Sequence, residues 1–429
     1  MKYLFLSLSF FAWLADAPAQ FSPDSIHTDF VMYQRRVDFD RNMRNRTIAE
    51  TFAKPLDSNT EDYYREACWA ISQFLFRSPE MEQGFAKLVA GYQKMETSTQ
   101  RAFLEAVYGS YPDEYVKEIQ SLLRTEKNPK LFAMQVLYLY RLEKTDTERK
   151  KLVQLLMDRF PEYEQQPLLQ ELYSYLNQHN TQVNAAIPPV ADLFQYRKES
   201  GYKTIYSFQR WNRDYPGMAI IQNADGSFCR DPEGRLLVFE QLARSASDLP
   251  YFITNGSTPQ GVFSIQGTEV SHNNFIGPTP NIQLVMPNEA ESAYWHHPNS
   301  YDSSKDAFSN YLSLLPVSWR NYEPMGEVFR AGKIGRTEII AHGTTIDPDY
   351  FKDKPYYPLT PTMGCLCAKE TWNIFNGRFE QSEQFRLVNT FLSTPGTQGH
   401  LIVINLDNQQ KKITREEIEQ LVNSFEAKK

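Results

Sequence analysis

Prolines at positions 79, 112, 129 and 161 stand 33, 17 and 32 residues apart, and each is followed by Glu, Asp or Lys. The first turn of a helix tolerates proline because the missing N–H has no intrahelical partner there. The punctuation therefore predicts a helix start about every 16–17 residues. Between the prolines, apolar residues recur at three- and four-residue steps: Ala67, Ile71, Phe74 and Leu75; Val116, Ile119, Leu122 and Leu123; Val136, Leu139 and Tyr140; Leu152, Leu155 and Leu156. That is the period of helices with one buried face. Taken in pairs, the helices repeat at about 33 residues, the size of a helical hairpin in a solenoid. From about Phe30 to Asn177 the expectation is an array of antiparallel hairpins, with a plain bundle as the alternative. Tyr138, Tyr140, Tyr173 and Tyr175 would either pack between these helices or line a concave face that receives a protein partner.

The period then changes. Gln178–Val190 is polar and ends in Pro188-Pro189, which predicts a boundary, with 181–200 as linker. Beyond it lie short β-branched or aromatic runs: Met218–Gln222, Leu236–Glu240, Tyr251–Thr254, Gly261–Gln266, Ile282–Met286, Thr337–Ala341 and His400–Asn405. Gly, Pro or Asn bounds them, as strands require. Thr414 and Glu417 form a capping box before a helix with Ile418, Leu421, Val422 and Phe425 on one face. The fold class expected is multidomain α + β: an all-α, repeat-like domain over 20–180 and a mostly-β domain over 201–429 that ends in a helix.

Charge narrows the partners. Lys and Arg total 45 against 52 Asp and Glu, a net charge of −7, with no long basic run. Nucleic acid is not an expected partner. Lys2, the apolar stretch Tyr3–Leu14 and Ala17-Pro18-Ala19 match a signal peptide over 1–19, which predicts export to the periplasm or cell envelope. No other run has the roughly 18 apolar residues of a membrane span. The four cysteines, Cys68, Cys229, Cys365 and Cys367, lack the paired spacing of a zinc site, so no metal is expected. Bridging Cys365 to Cys367 would close a strained ring.

Chemistry concentrates in Ile339–Lys369. Cys365 follows Gly364, where the chain can turn sharply and leave N–H groups facing a developing oxyanion. His342 ends an apolar run and precedes Gly343, which suits a base at a sheet edge. Ala341-His342-Gly343-Thr344 and Thr362-x-Gly364-Cys365-Leu366 resemble the catalytic signature of the L,D-transpeptidases of the YkuD type. Upstream, Ser257-Thr258-Pro259-Gln260-Gly261-Val262-Phe263 is similar to a strand of that family. The resemblance spans roughly Met218 to Leu406 and leaves the helical half outside.

It implies a β-sandwich, no cofactor, and peptidoglycan stem peptides as substrate. Cys365 would be the acylated nucleophile and His342 its base. A backbone carbonyl just after His342 would hold the imidazole tautomer. Backbone groups at Gly364, Cys365 and Gly343 would serve the oxyanion, and Thr344, Thr362, Arg336 and Trp295 would meet substrate. The chain departs from the family at Met363, usually His, and at Cys367, usually Arg or Asn. Arg320, Arg330 and Arg336 are candidates for the missing positive charge. The implied reaction is a 3→3 cross-link through a Cys365 thioester. An L,D-carboxypeptidase and a non-catalytic envelope adaptor are the alternatives.

Overall fold

The computed structural model describes residues 21–428 except 143, 144 and 296–300. The expected signal peptide lies outside the described residues. The first half is helical: α1 (Tyr33–Asn42), α2 (Glu61–Phe74), α3 (Pro79–Gly91), α4 (Thr97–Ser110), α5 (Val116–Leu123), α6 (Pro129–Leu142), α7 (Asp146–Arg159) and α8 (Pro167–Val183). Pro79 and Pro129 open helices as expected. Pro112 and Pro161 instead stand in the turns, and Pro167 opens α8. An inner row forms as α2 packs on α4, α4 on α6 and α6 on α8, while α5 and α7 pack outside α6 and α8. This two-row stacking is how hairpins bury a shared face.

The expected linker is largely structured. Helix α9 (Val190–Ser200) places Val190, Leu193 and Phe194 in the core of the second half. Arg197, fully buried, donates to the Leu314 carbonyl at 2.7 Å. The apolar face of 190–200 was hidden behind the Pro188-Pro189 pair that precedes it.

The second half holds strands β1 (Thr204–Arg210), β2 (Gly217–Gln222), β3 (Phe239–Leu242), β4 (Gly261–Glu269), β5 (Asn281–Val285), β6 (Ala341–His342), β7 (Leu366–Ala368), β8 (Glu370–Trp372), β9 (Phe379–Ser382) and β10 (Gly399–Asp407). Eight of these close into a barrel in the order β1-β10-β4-β5-β6-β7-β3-β2, while β8 and β9 form a separate hairpin. The expected sandwich is thereby corrected. Strand β6 has two residues, yet it pairs with both β5 and β7 and so joins what would be two sheet edges. Pairing is antiparallel except for β1 with β10 and β6 with β7. Helices α10 (Glu327–Ile334), α11 (Glu383–Leu392) and α12 (Arg415–Glu426) complete this half, and α12 carries the expected capping box.

The halves share one core. The apolar cluster of the helices continues into Leu242, Leu249, Phe252, Ile253, Ile346, Phe351, Tyr356 and Leu359 of the second half. Phe275 inserts its ring among Phe30, Phe39, Phe74 and Trp69, at centroid distances of 5.6, 5.7, 5.8 and 5.8 Å. Ion pairs cross the seam at Arg330–Glu171 (2.9 Å) and Arg36–Asp347 (3.0 Å). The segment before α1 is strapped to the β8–β9 hairpin through Thr28 N–H to the Gly377 carbonyl at 2.9 Å and Tyr33 N–H to the Ile374 carbonyl at 2.9 Å.

Candidate active site at one end of the barrel

Strand direction fixes which loops meet. Strand β7 starts just after Gly364-Cys365, and β6, parallel to it, starts after Glu338–Ile340. Following the antiparallel pairings round the barrel, this same end carries the last residues of β1, β3 and β10 and the first of β2 and β4. Side chains alternate along strands. Ala341 and Leu366, register partners, belong to the core cluster of the second half. The partners His342 and Cys367 take the opposite face, as does Leu242, which pairs with Cys367 and belongs to the cluster shared with the helices. Cys365 lies just before β7, at the end of the bend that Gly364 turns, and its thiol meets the backbone on the approach to β6.

Cys365 is half-buried, whereas Cys68, Cys229 and Cys367 are buried. The Cys365 thiol accepts from the Ile340 N–H at 3.5 Å and donates to the Glu338 carbonyl at 3.6 Å. Its loop is stapled by Thr362. The Thr362 Oγ1 accepts from the Gly364 N–H at 3.0 Å and donates to the Cys365 carbonyl at 2.9 Å. Thr258 Oγ1 donates to the Gly364 carbonyl at 2.9 Å. Gly364 has φ +115°, and a Cβ there would lie 2.3 Å from Arg336 Nη2 and 2.6 Å from the Gly256 carbonyl oxygen. Only glycine fits that conformation and that approach.

The His342 Nδ1–H donates to the Gly343 carbonyl. A carbonyl can only accept, so the contact places the proton on Nδ1 and leaves Nε2 as the basic nitrogen. The same peptide unit is gripped from its other side: the Thr344 N–H donates to Glu370 Oε2 at 2.8 Å, and Ser382 Oγ donates to Glu370 Oε1 at 2.5 Å. A continuous path therefore runs from a buried carboxyl, through one peptide bond, to the imidazole. A Cβ on Gly343 would fall 2.2 Å from the Glu370 carboxyl carbon, so that glycine makes room for the acid.

Burial sets the proton affinities. It lowers His342 to about 4, against the opposing pull of the Gly343 carbonyl. It raises the Cys365 thiol, with the Ile340 N–H and the Arg336 charge acting in the other direction. Burial also raises Glu370 to about 7 and Cys367 to about 12. At neutral pH thiol and imidazole are both uncharged, the arrangement for transferring the proton during attack rather than before it.

The other residues expected to meet substrate are held differently. Arg336 is buried and donates to the carbonyls of Ser257 (3.0 Å), Gly256 (2.9 Å) and Tyr251. Thr362 shapes the loop, and the Gly364 N–H is taken up by it. Thr344 is buried, and its carbonyl accepts from Trp372 Nε1 at 2.8 Å. Arg330 pairs with Glu171 and Glu323, and Arg320 donates to the Leu315 carbonyl at 3.0 Å. Trp295 packs edge to face on Tyr294 and Tyr301, at 5.0 and 5.2 Å. Glu370 was not expected. It shares the two-residue phase of Leu366, Ala368 and Trp372, all buried, and that phase is the sequence signal of an inward acid.

No protein-family model, curated protein or solved structure matches the chain. Among the described residues, no cluster of His, Cys, Asp and Glu could hold a metal ion, and no helix is long and apolar enough to cross a membrane.

Proposed function

We propose that the chain is an exported cysteine acyltransferase acting on peptidoglycan stem peptides, an L,D-transpeptidase. One observation carries the reading: a half-buried thiol stands one residue before the strand that pairs with the strand of the imidazole, and the imidazole Nδ1 proton is tied to the next carbonyl. In the reaction, Nε2 of His342 takes the Cys365 proton as sulfur attacks the carbonyl of the third stem residue. The Cys365 N–H serves the oxyanion, since the Gly364 N–H is held by Thr362. As the C–N bond breaks, the imidazolium returns the proton to the departing D-Ala amine. An amine of a neighbouring stem then attacks the thioester, gives its proton to Nε2 and releases the thiol.

The test is mass spectrometry of products from the chain beginning at Gln20, mixed with purified disaccharide-tetrapeptide. A dimer lacking one D-Ala, absent with Cys365→Ala, is the expected result. A tripeptide monomer alone would make the enzyme a carboxypeptidase. Neither product, and no carbapenem adduct on Cys365, would overturn the catalytic reading and favour an adaptor.

A further inference from the structure

Between the inner helix row and the Cys365 end of the barrel lies a cavity of about 500 Å³. Tyr140 and Tyr175 wall it from the helices; Trp211, Arg213, Thr258 and Asn405 wall it from the barrel. Carboxylates surround it too, but they are answered from within the protein. Asp214 pairs with Arg244 at 2.5 Å, Glu171 pairs with Arg330 at 2.9 Å, and Glu327 accepts from the Gln260 backbone and side chain at 2.8 and 3.0 Å. Asp248 also faces Arg244, at 3.8 Å.

The capacity left over is mostly that of donors. Arg213 is 8% exposed and gives Nη2 to the Thr258 carbonyl at 3.1 Å. The charges of Glu327 and Asp248 act on its guanidinium, but among the described residues its Nη1 has no hydrogen-bond acceptor, and neither does Trp211 Nε1 or Arg141 Nε. Asn405, 2% exposed, has an Oδ1 with no donor. Buried polar atoms without partners are rare, and here four belong to residues that line one cavity. Charge-assisted donors from a guanidinium match a carboxylate, and aromatic walls match the body of a peptide.

We propose that this cavity binds the free carboxylate end of a peptide, with Arg213 Nη1 and Trp211 Nε1 on the carboxylate and Asn405 Oδ1 accepting an N–H of the same peptide. The assignment of that peptide as a wall stem rests on the function proposed above; donor and acceptor stems share the chemistry. The cavity is linked to the nucleophile loop through one of its lining residues: Arg213 holds the Thr258 carbonyl, and Thr258 Oγ1 holds the Gly364 carbonyl, one residue before the thiol.

The test is calorimetric titration of the Cys365→Ala chain with two stem tetrapeptides, identical except that one ends in a carboxylate and the other in a carboxamide. The carboxylate form is expected to bind about tenfold tighter. Arg213→Gln should bring the two peptides together, and Arg213→Lys should keep part of the difference. If Arg213→Gln does not fold, Trp211→Phe should weaken the carboxylate form selectively. Equal binding of both peptides, binding of neither, or a tenfold preference that survives in Arg213→Gln would overturn the site. Carboxylate-selective binding without acylation of Cys365 in the unaltered chain would keep the site and remove the transpeptidase reading, so the two failures are distinct.

Discussion

Burial moves the thiol and the imidazole in opposite directions on the pH scale, and both movements favour the neutral form. Alkylation of Cys365 by iodoacetamide should therefore climb through alkaline pH with no plateau near neutrality, because the thiolate appears only above the raised thiol value. His342→Gln should abolish acylation at neutral pH and regain part of it as pH rises. Cys367→Ser should leave acylation unchanged, since that thiol is buried against Thr360 and off the attack path. Glu370 separates geometry from charge. In Glu370→Gln the amide oxygen can still accept from Thr344 and the amide nitrogen can face Ser382. Glu370→Ala strands the buried Thr344 N–H, which should cost about 1–3 kcal/mol and lower acylation far more than the Gln variant does. Cys365 and His342, the proposed thiol and base, stand out in the sequence by their motifs. Glu370 could not be read the same way, because its role depends on the chain returning past Gly343 in a particular register.

Elements show where local pattern misled. Strand β1 is buried at every position although Tyr206, Ser207, Phe208 and Gln209 alternate, because its polar row is turned inward, Ser207 donating to Gln241 and accepting from Gln209. Tyr251–Thr254 looks like a strand by composition. It is a chain of turns instead, with Ile253 N–H on the Pro250 carbonyl, Gly256 N–H on the Ile253 carbonyl and Asn255 at φ +61°. Those turns present the carbonyls that Arg336 collects beneath Gly364. The Thr362–Cys365 loop is thus built against a second loop, and Gly364→Ala would drive a methyl into both Arg336 and Gly256. A loss of about 2–4 kcal/mol in stability, measured by urea unfolding, and loss of Cys365 acylation are expected together. The helical half was readable because its period is local. The barrel closure was not, since it depends on a two-residue strand meeting two partners.

At the scale of the molecule, the shared core makes the halves one thermodynamic body. Thermal unfolding followed by Trp fluorescence and by far-ultraviolet circular dichroism should coincide. Phe275→Ala should shift both traces by the same amount, about 2–3 kcal/mol. Burial also raises Glu105 and Glu327 to about 7, alongside Glu370. Acids with raised folded values stabilise fully below their unfolded value, and that contribution is lost as pH rises through about 7. His342, with a lowered value, acts oppositely, its contribution being lost as pH falls toward about 4. The urea midpoint of Glu105→Gln should accordingly fall less than that of the parent between mildly acidic and neutral pH.

Strand β10 stands between β1 and β4, yet it follows every other described strand in the chain. A nascent polypeptide released as far as residue 398 would own a finished helical array and a barrel with two bare edges facing a missing stave. The helical half can form as it is synthesised, but the Cys365 end of the barrel cannot close until residues 399–407 have been made. Until then β1 and β4 offer unpaired strands to any neighbouring chain, so a stalled or shortened product should aggregate rather than act.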